Sequence, residues 1–390
     1  MPVPEWIWIV FVFAFGCCIG SFLNVVIYRL PRDKSLVKPP SSCPSCGKNI
    51  RFYDNIPLLS WLVLAGKCRF CKAPISPRYF VIELLTGLVF TAVFYLYFYR
   101  GIIEKMPPFL DGGWIIYLMH IAMLGAFIAA SAIDLELWII PLSICWFVTA
   151  VGIVGSTAGG YLIDFQLIRS RFLLPTTSDP FLAESSVAAL AVGAGLGLVI
   201  SMILLKTGVI KQSYEDQQSD WPGEEYQADG EKKINHYLES FREILFLLPM
   251  LLCAAGACFI SKNVKSVDNF WVNLTQHPAF SGFLGSLWGY FVGCAVVWAT
   301  RIFGTLAFGK EAMGLGDVHF MGAAGAILGP VPVFIAFFVS PFFGLGWAGI
   351  QLFFKKTRQI PYGPFLSLGL FVVMMFRDRI FEYLAIVLFK

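Results

Sequence analysis

Charged side chains are scarce in this sequence. Asp, Glu, Lys and Arg make up 14% of its 390 residues, where a water-soluble domain carries about 25%. That deficit, beside a hydrophobic content of 57%, excludes an ordinary soluble enzyme and a disordered chain and leaves a polytopic membrane protein. A net charge of +4 over this length is too weak to argue for nucleic acid, and the basic residues read first as topology signals. A basic N-terminal prefix is also lacking: Glu5 precedes the first apolar run, while Arg29, Arg32, Lys34 and Lys38 follow it. That order excludes a cleavable secretory signal and makes Trp6–Tyr28 a true span, with the segment after it in the cytoplasm.

About ten Lys and Arg crowd into residues 29–78, which anchors the topology. From there spans alternate through Tyr79–Tyr99, Trp114–Ile133, Leu137–Ala158 and Val187–Leu205. The stretch Lys206–Glu243 is too hydrophilic for lipid and reads as a cytoplasmic loop. Ile244–Ile260 and Phe283–Phe303 form an out-and-back pair that returns Gly304–Asp317 to the cytoplasmic face. A short Gly/Ala-rich piece, Val318–Leu328, is broken by Gly329 and Pro330. Val333–Phe354 then leads to Lys355, Lys356 and Arg358, again a cytoplasmic signature, and a last segment from Phe365 becomes irregular at 377–379. The fold class is all-α: a polytopic transmembrane helical bundle of about eight to ten spans, with a small cytoplasmic zinc-ribbon-like insertion. The division expected is a first span over 1–28, a four-cysteine domain over 29–78, spans two to four over 79–158, an inserted region over 159–310 containing the polar 206–243 loop, and a C-terminal unit over 311–390.

Two constellations carry chemistry. Cys43-Pro-Ser-Cys46 and Cys68-Arg-Phe-Cys71 are paired C-x-x-C knuckles that can present four thiolates to one Zn²⁺. Their cytoplasmic placement favours metal over a disulfide, and such a site supplies folding energy to a loop too small for its own core. The other six cysteines lie in hydrophobic runs and read as small packing residues. The second constellation is a pair of carboxylates at membrane edges. Asp134 closes the third span, and Asp317 follows Gly314 and Gly316, which allow a tight backbone around it. Both fall on the cytoplasmic face, where paired carboxylates can divide acid and base roles. Weaker candidates are Glu83, one turn into its span, Asn24 as polar glue between helices, and His319 beside Asp317.

These blocks together resemble the type IV prepilin leader peptidases, bacterial aspartyl proteases of the Gly-x-Gly-Asp type. The resemblance rests on Gly20–Pro31, the cysteine knuckles, Tyr53–Trp61, Pro74–Ser76, Ile82–Gly87, Asp134, Gly314–Asp317 and Pro361–Leu366. It implies an aspartic-type endopeptidase in the bacterial inner membrane that removes the short basic leader of type IV prepilins or pseudopilins after a Gly. By resemblance Asp134 and Asp317 are the catalytic pair, and Cys43, Cys46, Cys68 and Cys71 the metal ligands. Members with the cysteine domain are associated with N-methylation of the exposed residue from S-adenosylmethionine. No dinucleotide-type glycine fingerprint lies in the cytoplasmic segment, so no cofactor-binding residue is assigned.

Three departures stand out. His319 replaces the family's usual Lys, Leu142 follows Pro141 where the family often has Asp, and the stretch between the two aspartates is long enough for two helices more than relatives usually carry. An even number of extra helices returns Asp317 to the face of Asp134. Other readings are a membrane scaffold or transporter bearing a Zn ribbon, and a degenerate member that binds prepilins without cleaving them. Membrane lipid is the other expected partner; the sequence leaves oligomeric state open.

Overall fold

A computed structural model describes residues 4–214, 235–353 and 361–388. Most of the polar 206–243 loop, and the basic Lys355, Lys356 and Arg358, fall outside the described residues. The helices are α1 (Glu5–Arg29), the short α2 (Leu59–Val63), α3 (Arg78–Phe98), α4 (Gly113–Leu137), α5 (Leu142–Leu162) and α6 (Phe165–Arg171). They continue with α7 (Glu184–Lys206), α8 (His236–Asn263), α9 (Lys265–Thr275) and α10 (Pro278–Phe308). The chain closes with α11 (Leu315–Leu328), α12 (Pro330–Phe353), α13 (Gly363–Met375) and α14 (Arg377–Leu388). Among the described residues, eight helices are long and apolar enough to cross a membrane: α1, α3, α4, α5, α7, α8, α10 and α12. The apolar α11 and α13, of 14 and 13 residues, reach only about 20 Å at 1.5 Å per residue, short of a hydrocarbon core of about 30 Å.

Local chemistry sets the breaks. Between α4 and α5 the chain turns at Trp138, in the left-handed region with φ of 60°, and Pro141 sits at the N-cap of α5. Gly329, at φ 86°, and Pro330 separate α11 from α12. The polar stretch expected to run to Glu243 ends earlier, because Asn235 caps α8 by accepting the Leu238 N–H. The first two turns of α8 then bury Glu239, Ser240 and Glu243, with polar partners on both carboxylates, so a segment too polar for lipid still forms a helix. Helix α9 has no counterpart among the expected spans. It is amphipathic, and it packs Trp271 and Leu274 on Ala188 and Leu284.

Small residues let the helices close on one another without a water-driven core. A methyl at Gly20 would lie 2.7 Å from Glu83 Cα, so α1 and α3 approach backbone to backbone. The Asn24 side-chain amide donates to the Tyr79 carbonyl at 3.0 Å across the same contact. The most buried of the eight long helices is α4, whose Ile116, Met123, Phe127 and Ile133 are sealed from solvent, and Phe127 stacks on Phe320 of α11.

Contacts at the two ends of the bundle establish helix direction. At one end the cysteine loop meets the start of α3, Arg78 pairs with Glu136 in the last turn of α4, and the start of α8 meets the end of α10 through Glu243 and Arg301. At the other end Arg171 pairs with Glu104, the Glu104 N–H donates to Asp378, and Thr177 hydrogen-bonds Ser281. The helices between Asp134 and Asp317 therefore return the chain to the end from which it left.

Candidate active site

Asp134 lies in the last turn of α4 and is buried. Its Oδ2 accepts the Gly363 N–H at 2.9 Å, placing the carboxylate at the N-terminus of α13, where free amides and the helix dipole favour negative charge. A methyl at Gly363 would stand 2.8 Å from that Oδ2, so a side chain there would crowd the carboxylate away from the amide. Asp317 is half-buried in the first turn of α11 and reaches back to accept the Gly314 N–H at 3.3 Å. Gly316 packs on Ile140 of the α4–α5 turn, where a methyl would stand 3.0 Å from Ile140 Cβ. The two carboxylates are near enough to interact electrostatically, and Asp317 also senses Arg301 and Tyr362. Two acids on separate helices thus share one end of the bundle, each steadied by a backbone amide.

Behind Asp317 stands a buried polar cluster that sequence reading did not anticipate. Arg301 of α10 is fully buried. Its Nε donates to Glu243 of α8 at 2.8 Å, and its Nη1 donates to Glu311 at 2.6 Å and to the Met313 carbonyl. Glu243 also accepts Trp298 Nε1 at 3.1 Å. The Arg301 guanidinium lies 5.0 Å from the Tyr214 ring centroid, and the Tyr214 N–H donates to Glu239. This cluster pins the 311–313 segment, which leads directly into Gly314 and Asp317. Its sequence signal was present: an Arg inside an apolar run demands a partner, and Glu243 opens the next such run upstream.

The other candidates fall elsewhere. Glu83 is buried in α3 and accepts the Leu58 N–H at 2.8 Å, so it engages the cysteine loop. His319 Nδ1 is 3.0 Å from the Tyr290 hydroxyl and its ring sits beside Trp146, which ties it into the α5–α10–α11 packing. Leu142 is exposed at the start of α5.

The cysteine loop is built as two matching knuckles. In the first, the Cys43 N–H bonds the Lys48 carbonyl and the Gly47 N–H bonds Cys43; in the second, Cys68 pairs with Ala73 and Lys72 with Cys68. Each knuckle aims backbone amides at its leading sulfur. Those of Cys46 and Ser45 hold the Cys43 thiol down at about 6, and those of Cys71 and Phe70 lower Cys68. The four sulfurs of Cys43, Cys46, Cys68 and Cys71 lie within 4.8 Å of one another, and Cys43 and Cys71 stand 3.8 Å apart. Tetrahedral metal–sulfur bonds of about 2.3 Å require edges of about 3.8 Å, so this group fits a metal ion. Arg69 grips Asp54 across the loop, with Nε to Oδ2 at 2.8 Å, and holds that carboxyl below its ordinary range.

Comparison with known proteins gives two family matches. Residues 14–97 match the Bacterial Peptidase A24 N-terminal domain, and residues 243–349 match the Type IV leader peptidase family, a range that holds Asp317 but not Asp134. A prepilin leader peptidase/N-methyltransferase of Myxococcus xanthus is 41% identical over 165 residues, covering 42% of this chain and 44% of that protein, under half its length. An Aeromonas hydrophila protein of the same description is 32% identical over 244 residues, covering 53% of this chain and 79% of the relative. One from Aeromonas salmonicida is 23% identical over 413 aligned residues, covering 98% of this chain and 96% of its own. No solved structure matches. On these matches the chain belongs to the prepilin leader peptidase family.

Proposed function

We propose that this chain is an aspartic endopeptidase of the bacterial inner membrane that removes the basic leader of type IV prepilins or pseudopilins after a Gly, at the cytoplasmic face. The observation that carries this reading is the pairing of Asp134 and Asp317 at one end of the bundle, each on a backbone amide. Brought together, one carboxylate keeps a proton and the other a charge. The charged one takes a proton from water as the water attacks the scissile carbonyl, while the protonated one donates to the carbonyl oxygen; on collapse the proton taken from water passes to the leaving amine and the diol hydroxyl returns one to the other carboxylate. Substrate's apolar stem would lie along the bundle with its basic leader toward the cytoplasm. The basic segment 29–78 supports that sidedness by charge bias.

The cysteine group is proposed to hold structural Zn²⁺, on the strength of its tetrahedral spacing. Methylation of the new N-terminus from S-adenosylmethionine is proposed from the relatives' descriptions, with no residue assigned to that cofactor. Coexpression with a prepilin, followed by mass measurement of the substrate's N-terminus, reads both activities. Wild type is expected to yield a shortened and methylated product. An uncut substrate would overturn the peptidase reading, and a cut but unmethylated one, with S-adenosylmethionine present, the transferase reading.

A further inference from the structure

We propose that residues 56–63 of the cysteine loop are a membrane anchor, their apolar side chains sunk into the boundary of an anionic bilayer beside α3.

Depth is the first observation. The Leu58 N–H donates to Glu83 Oε2 at 2.8 Å, and Glu83 lies five residues beyond Arg78, the first residue of α3. At 1.5 Å per residue that is about 7 Å along a spanning helix. Trp61 fastens the same segment again, with its ring on Phe80 at 5.2 Å between centroids and its Nε1 on the Ile75 carbonyl at 3.4 Å. Leu58 is held with φ of 60°, a conformation that a branched side chain keeps only where its surroundings fix it. The segment is therefore pinned level with the first two turns of α3.

What it presents there is apolar. Leu59, Leu62 and Val63 fall at helical spacing on one face of α2 and are 59%, 56% and 78% exposed, with Ile56 at 45%. Nothing else in the described chain covers them. At the same level α3 turns Val81 and Leu85 outward, residues that face lipid if α3 spans the membrane. The patch thus continues an apolar surface already in the bilayer.

Charge commits the occupant. Residues 29–78 contain ten Lys and Arg against Asp33 and Asp54, and Arg69 already neutralises Asp54. An apolar face on a segment so rich in Lys and Arg suits an interface of acyl chains beneath anionic headgroups. A substrate stem alone would call for the apolar face but not for this excess of bases.

The test uses the full chain in proteoliposomes, with a benzophenone amino acid at Leu62 and, in a separate preparation, at Leu88, an exposed residue further along α3. After irradiation the intact mass of the protein reports what has been captured, in phosphatidylcholine with and without phosphatidylglycerol. Lipid adducts at Leu62 comparable in yield to those at Leu88, rising severalfold with phosphatidylglycerol and unchanged by added prepilin, are expected. In Lys67→Ser/Lys72→Ser the rise with phosphatidylglycerol should shrink while adducts persist. Absence of lipid at Leu62 when Leu88 captures it overturns the proposal, as does transfer of the cross-link to prepilin or to a second copy. A yield indifferent to phosphatidylglycerol overturns the anionic part.

Discussion

Replacing Glu243 by Gln removes one charge from the cluster behind Asp317 and leaves its size unchanged. Glu243 and Arg301 side chains are 3% and 2% exposed, so water cannot take over for the missing carboxylate. Glu243 accepts from three donors, Arg301 Nε, Trp298 Nε1 and the Ser213 hydroxyl. Glutamine offers one oxygen, and its amide would face one of those donors with a donor of its own. Breaking a buried pair on one side costs about 3–5 kcal/mol. Arg301 keeps Glu311 and the Met313 carbonyl, which brings the expected loss nearer to about 2–3 kcal/mol. If about 2.7 kcal/mol of it falls on the placement of Asp317, the cleavage rate drops about a hundredfold. Leader-peptide cleavage by the purified enzyme should show this in kcat, with KM little changed, since the cluster lies behind the acid. The double variant Glu243→Gln/Arg301→Gln removes both charges and should recover part of the loss, giving a coupling of about 1–3 kcal/mol. Wild-type kcat in Glu243→Gln, or strict additivity in the cycle, would refute the idea that α8 braces the 311–317 segment.

Gly363→Ala sets a methyl 2.8 Å from Asp134 Oδ2 and must displace either the carboxylate or α13, so cleavage should fall about 10- to 100-fold; full activity would show that this amide does not place Asp134. Metal analysis of the purified chain should find one Zn²⁺ per chain, and Cys43→Ser or Cys71→Ser should lose it and loosen residues 40–75 to hydrogen exchange, with retention of metal in both variants as the contrary result. Arg69 lowers the Asp54 carboxyl, so the link contributes fully above the unfolded value of about 3.9 and is lost as pH falls through the lower folded value. Asp54→Asn should therefore speed exchange in residues 52–70 at pH 7, and its difference from wild type should vanish in stronger acid. A difference that persists there would contradict the assignment.

Much of this architecture could be read from hydropathy, because a span announces itself by a long uncharged run. The helix ends could not, since they depend on single contacts: Asn235 starts α8 inside a stretch that reads as loop, and Trp138 turns the chain at a position where no glycine marks the break. Helix α9 escaped because an amphipathic helix of 11 residues has no apolar run. The cysteine knuckles were legible as a fixed spacing, and the two aspartates as acids at the edges of apolar runs. Gly363 carries no local mark, because it meets Asp134 from 229 residues away, and Arg301, though an Arg inside an apolar run, finds Glu243 58 residues upstream. Glu83 reads as an intramembrane acid, yet its partner, the Leu58 amide, belongs to a loop whose folding back on α3 no local pattern specifies.

The central claim is that Asp134 and Asp317 work as one unit, and its most direct measurement compares leader cleavage by Asp134→Asn, Asp317→Asn and the double variant. Groups that act together are grossly non-additive. Each single variant should fall to the background rate, with the double variant no lower. Substantial cleavage by either single variant, or a double variant slower than both by the product of their losses, would contradict a shared aspartate pair.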